Sequence, residues 1–149
     1  MRQLMAAVAL LGCLATGCGE KSPSVPTPPP INLTGTWAGN VTVLGTSARM
    51  LWSLTQSDST VTGPVALTLP SGTVLLNGFL TGALNGNALT YTIAVGPGGV
   101  PTQPACAGQL GGTMNASIGV VSTLVGRTSL VSSNCAPPLP SGDITLTKQ

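Results

Sequence analysis

The sequence has no histidine at all, and in 149 residues it has only three acidic side chains, Glu20, Asp58 and Asp143. A serine or threonine nucleophile needs a neighbouring base, and protein metal sites draw mainly on His, Cys and clustered carboxylates. Those chemistries are starved of parts. The remaining route to acid–base work is a pair made by Asp58 and Asp143, but each stands beside turn residues and fits a turn hydrogen bond better. Lys148 is the penultimate residue and is expected to be frayed. The expectation is a protein that is not an enzyme and uses no cofactor or metal. Positive charge is equally thin: Arg2, Lys21, Arg49, Arg127 and Lys148 are scattered along the chain, for a net charge of +2. They form no stripe that would track a phosphate backbone, so nucleic acid is excluded as a partner. Four aromatics, Trp37, Trp52, Phe79 and Tyr91, are too few for the two girdles of an outer-membrane β-barrel.

Only 5% of residues are charged, while 42% are apolar. An average soluble domain carries about 25% charged residues, so Thr and Ser must wet this surface. Disordered chains combine low hydrophobicity with high charge. This chain has the opposite balance and is expected to fold.

Arg2 precedes the apolar run Leu4–Leu11, a positive start and a short hydrophobic stretch that read as a secretory signal. A bilayer-spanning helix needs about 20 apolar residues, and this run is shorter. Ala15-Thr16-Gly17-Cys18 resembles a bacterial lipobox, and the resemblance implies cleavage before Cys18 and lipidation of that cysteine. Leu10-Leu11-Gly12-Cys13 fits the same pattern as an alternative. Cysteine arithmetic favours Cys18, because cleavage there removes Cys13 and leaves Cys106 and Cys135 as an even pair. Residues 1–17 are thus read as a signal peptide and 18–31 as a lipidated, proline-rich tether. Five prolines fall in the last eight positions before Ile31, which dictates an extended polyproline-type spacer reaching roughly 35–40 Å at about 3.1 Å per residue. Gly19, and not Asp, follows Cys18. The resemblance to lipoproteins of two-membraned bacteria therefore implies retention at the outer membrane, facing either the periplasm or the outside.

From Asn32 to Gln149 no window carries helical apolar spacing, and period two takes over. Trp37, Gly39, Val41 and Val43 share one face of a strand; so do Met50, Trp52 and Leu54, then Val61, Gly63, Val65, Leu67 and Leu69, then Leu89, Tyr91, Ile93 and Val95. Further strands are expected near 73–83, 107–115, 118–125, 127–132 and 143–148. Turn signals at Gly45-Thr46-Ser47, Ser57-Asp58-Ser59, Pro70-Ser71-Gly72 and Asn85-Gly86-Asn87 join the runs consecutively, and Asn-Gly is a strong signal for a type I′ hairpin. The Gly- and Pro-rich stretch from Gly96 to Pro104 is a longer excursion. Residues 32–149 are read as an all-β, antiparallel up-and-down barrel of about eight to ten short strands, with a β-sandwich as the alternative.

Gly35-Thr36-Trp37 on the first strand resembles the Gly-x-Trp opening of the calycins, the lipocalins and avidins. The resemblance implies a calycin-like meander barrel with Trp37 closing one end and a cation packed over it. Arg127 is the candidate by position, with Arg49 as the other contender. The second lipocalin motif, the C-terminal helix and the biotin contacts of avidins have no counterpart here. Cys106 and Cys135 lie in the exported part, where a disulfide is the default. Inward glycines at 39, 63 and 112 either leave room for a ligand or let the barrel twist tightly. Two functions follow. One is a non-catalytic envelope lipoprotein whose solid barrel is a binding or structural module for a protein or glycan, through its surface or through loops such as Gly96–Pro104. The alternative is a carrier of a small lipophilic ligand inside the barrel.

Overall fold

The computed structural model describes residues 30–149. The expected signal segment, Cys13, Cys18 and the part of the expected tether before Pro30 lie outside the described residues. Eight strands follow one another without a helix among them: β1 (Gly35–Val43), β2 (Thr46–Ser57), β3 (Thr60–Thr68), β4 (Val74–Asn85), β5 (Ala88–Val95), β6 (Gly108–Ser117), β7 (Thr123–Ser133) and β8 (Gly142–Lys148). Each pairs antiparallel with the next, and β8 returns to β1, so the sheet closes as an up-and-down barrel. Closure removes the sandwich alternative.

Period-two patterning explains the strands. Along β5, Leu89, Tyr91, Ile93 and Val95 are buried while the intervening Thr90, Thr92 and Ala94 face out. In β2, Ala48, Met50, Trp52 and Leu54 point inward in the same way. The turns differ in detail from the sequence reading. The first hairpin turns at Leu44-Gly45, with φ of 48° and 80°, so Thr46 and Ser47 already belong to β2. That pair has the two positive φ values of a type I′ turn. Asn85, by contrast, is still paired with Ala88; the central residues there are Gly86-Asn87, with only Gly86 at positive φ, as in a type II′ turn.

The two strands expected at 118–125 and 127–132 are one strand, β7, and 118–122 is the connection before it. Gly126 reads as an interruption in the sequence. In the fold it is a close approach: a Cβ there would overlap the Thr113 carbonyl of β6. All three inward glycines obey the same logic. A Cβ at Gly39 would overlap the Thr145 carbonyl, one at Gly63 the Ser53 carbonyl, and one at Gly112 the Arg127 carbonyl. These positions draw neighbouring strands together instead of opening a chamber. Trp37, Trp52, Leu80, Leu89, Ile93, Met114, Leu124 and Leu146 fill the interior as one buried cluster.

Candidate functional site

The two ends of the barrel are built differently. At one end, where β1 begins and β8 finishes, Leu33 is fully buried beneath the strands. Trp37 Nε1 donates to the Leu33 carbonyl at 2.7 Å, and the Leu33 amide donates to Gln56 Oε1 at 2.8 Å. Gln56 Nε2 in turn donates to the carbonyls of Ile31 (3.1 Å) and Asp58 (2.9 Å). The segment entering β1 is thereby folded under the barrel as a plug, with Trp37 above it.

The cation over Trp37 is Lys148, not Arg127. Lys148 stands opposite Trp37 in the β1–β8 pairing, and opposed residues project from the same face of a sheet. Its Nζ lies 5.6 Å from the ring centre and 3.4 Å from the Asn32 carbonyl. Arg127 is out of phase with the interior: Thr128 is the buried residue of that pair, and Arg127 projects outward, 3.7 Å from Asp143, both side chains largely exposed. An ion pair in that setting contributes at most about 1 kcal/mol. Arg49 also faces out, opposite Asn40 and Thr68.

Above the plug, Trp52 and Tyr91 meet edge to face with ring centres 5.0 Å apart. The Tyr91 hydroxyl hydrogen-bonds the Thr128 hydroxyl two strands away, reaching across Gly112, which stands between them in the register. Burial pushes the Tyr91 phenol above its ordinary value, and the Thr128 bond offsets part of that. Trp52 Nε1 is buried without a partner, a cost of about 1–3 kcal/mol that the packing around the ring must outweigh.

The opposite end is formed by the β1–β2 and β3–β4 turns and by two longer loops, 96–107 and 134–141. Here the structure opens. A cleft of about 400 Å³ lies between the strand ends and the loops, walled by Val43, Leu67, Leu76, Val100, Leu139 and Pro137 among others. No ionisable side chain lines it; its polar groups are Thr42, Thr102, Gln103 and Ser141. A second hollow of about 340 Å³ adjoins it, shares Thr42, Val43, Pro140 and Ser141, and runs down the seam between β1 and β8. That seam is stitched only at Trp37–Lys148 and Ala38–Thr147, so the upper half of β1 and the start of β8 part and form its sides. Neither hollow touches Trp37, Trp52 or Tyr91.

The two long loops are fastened to each other. Cys106 and Cys135 form a disulfide with Cα atoms 4.8 Å apart. The Ala107 amide donates to Asn134 Oδ1 at 2.7 Å, and the Asn134 amide returns a bond to the Ala107 carbonyl at 3.1 Å. The Ala136 amide donates to Gln103 Oε1 at 2.8 Å. Val100, within the loop that the sequence marked as a long excursion, turns inward and is buried. Loop 134–141 escaped the sequence reading; its signal was Ala136-Pro137-Pro138-Leu139-Pro140, an apolar run too proline-rich to be a strand.

No protein-family model, curated protein or solved structure matches this chain.

Proposed function

We propose that this chain is a non-catalytic envelope lipoprotein, anchored through Cys18, whose barrel is a rigid binding module that engages an uncharged, apolar group in the cleft at its loop end. One observation carries the reading: the barrel axis is filled by side chains, while the loop end holds a cleft of about 400 Å³ with an apolar wall and no charge. That volume falls in the range of small-molecule sites, which are mostly apolar with a few placed polar groups. A charged ligand would leave water there without finding a counter-charge, a cost of several kcal/mol. Thr42, Thr102 and Ser141 instead offer hydroxyls to an ester, alcohol or ketone. The packed axis disfavours the alternative, a ligand carried inside the barrel.

Two experiments test the two halves. An uncharged, environment-sensitive dye should bind with enhanced emission, and Thr102→Asp, which sets a charge in the cleft wall at an exposed position, should strongly weaken that binding while leaving the melting profile of the fold in place. Equal binding by the variant refutes the cleft. Separately, Cys18→Ser should release the protein from the membrane fraction; unchanged membrane association refutes the anchor.

A further inference from the structure

The end of the barrel that carries the plug also carries the most apolar exposed segment among the described residues. The β6–β7 connection reads Ile118-Gly119-Val120-Val121-Ser122. Val120 is fully exposed, at 108% of its reference area, Val121 is 64% exposed, and Ile118 and Val125 are each about half exposed. No charged residue occurs from Ser117 to Gly126. The first charge met on climbing β7 is Arg127, paired with Asp143. Isolated exposed aliphatics are ordinary, but three at one turn with a fourth just above make a tip that water solvates poorly.

Topology places this tip with respect to the N-terminal chain. The Lys148 amide donates to the Ser122 carbonyl at 3.0 Å, and Lys148 Nζ reaches the Asn32 carbonyl, so the turn and the entering segment belong to one end. Around the barrel the β6–β7 turn lies four strands from the β2–β3 turn. Beside that second turn, Pro30 and Ile31 stand against Gln56 and Asp58. The chain therefore leaves across the same end from the tip, and Asp58, the sole acidic side chain of that end among the described residues, is kept on the far side.

We infer that the Ile118–Val121 tip is a second membrane contact, which inserts its aliphatic side chains into the interfacial layer of the bilayer that holds the lipidated N-terminus. The inference rests on the anchored reading above. The spacer sets the greatest distance between lipid and barrel; laid along the surface, its roughly 35–40 Å gives the tip ample reach. Two attachments at one end fix the tilt of the barrel, and the cleft at the other end faces away from the bilayer. The covalent lipid supplies the attachment, and burying the apolar tip adds hydrophobic area that orients the barrel on the surface.

The test uses the full lipidated chain in vesicles of phosphatidylethanolamine and phosphatidylglycerol. An environment-sensitive dye is attached at Val120→Cys or, at the opposite end and away from the cleft, at Ser71→Cys in the exposed β3–β4 turn. The dye at 120 should shift to the blue and be quenched several-fold more by a lipid-borne quencher than the dye at 71. Equal response at the two positions overturns the inference, and so does shielding at 120 that grows with protein concentration in the absence of vesicles, which would mark a contact between copies. Flotation of the Cys18→Ser chain separates this from the anchor. If that chain floats as wild type does, the anchor reading fails. If it floats only at high lipid and the further pair Val120→Asp, Val121→Asp weakens that residual binding about tenfold, the tip stands by itself; no weakening removes it.

Discussion

Removing the Cys106–Cys135 disulfide should lower stability far more than it changes the folded structure. The bridge spans 29 residues of sequence, and in the chain-entropy account a loop of that length restricts the unfolded chain by about 3–4 kcal/mol. On the folded side little is lost, because the Asn134–Ala107 pair and the Gln103–Ala136 bond still hold the two loops together. For about 120 residues the unfolding entropy is roughly 0.25 kcal/mol per degree, so the melting temperature should fall by roughly 12–16 °C. The assay is thermal unfolding of Cys106→Ser, Cys135→Ser against the oxidised protein, followed by Trp emission, with dye binding to the cleft measured well below the melt. The expected pattern is a large drop in midpoint with affinity changed less than about threefold. A midpoint within about 3 °C of wild type would refute the entropic argument. A midpoint lowered as expected, with dye binding abolished, would instead show that the bridge shapes the cleft and does not merely restrain the unfolded chain.

Other substitutions probe the barrel itself. Trp37→Ala should cost about 3–5 kcal/mol, since the ring is fully buried and caps the Leu33 plug; denaturant unfolding measures it. Gly112→Ala should destabilise by about 1–3 kcal/mol, because its Cβ would overlap the Arg127 carbonyl, whereas Gly86→Asn, with open space around it at φ 60°, should cost far less. Tyr91 sets an alkaline limit. Its phenol is raised in the folded state above its ordinary value of 10.0, so the folded state holds the proton more tightly than the unfolded chain does. Its contribution is complete below pH 10 and is lost as pH rises from there through the folded value. Tyr91→Phe should remove that alkaline fall in denaturant midpoint, and an unchanged fall would contradict the assignment, Tyr91 being the only tyrosine.

Most of the architecture could be read from the chain, because a closed meander needs only two local signals, alternation along each strand and a turn between consecutive strands. The alternation in β5 is nearly faultless, and it placed Leu89, Tyr91, Ile93 and Val95 inside without reference to any other strand. What failed depended on strands meeting in space. Gly126 looks like a break until β6 is brought against it. Leu44 at positive φ is invisible because no propensity favours Leu in a left-handed turn; the register of the hairpin imposes it. Lys148 lay over Trp37 only because the last strand closes on the first, and Arg127 lost that place by a one-residue phase, with Thr128 turned inward instead. The cleft was the least legible feature. Its walls come from β1, β3, β4 and two loops that are far apart in sequence, and only the Gly96–Pro104 excursion and the two cysteines hinted at where they would gather.

The central claim is that the cleft at the loop end, and not the barrel interior, holds an uncharged lipophilic group. Native mass spectrometry of the protein purified gently from its own cells tests it most directly. The account predicts an added mass corresponding to a neutral lipophile, present in wild type and in Met114→Leu, a conservative change deep in the core, and absent in Thr102→Asp at the exposed wall of the cleft. A clean ligand-free mass for wild type, together with no uptake of an uncharged dye, would contradict it.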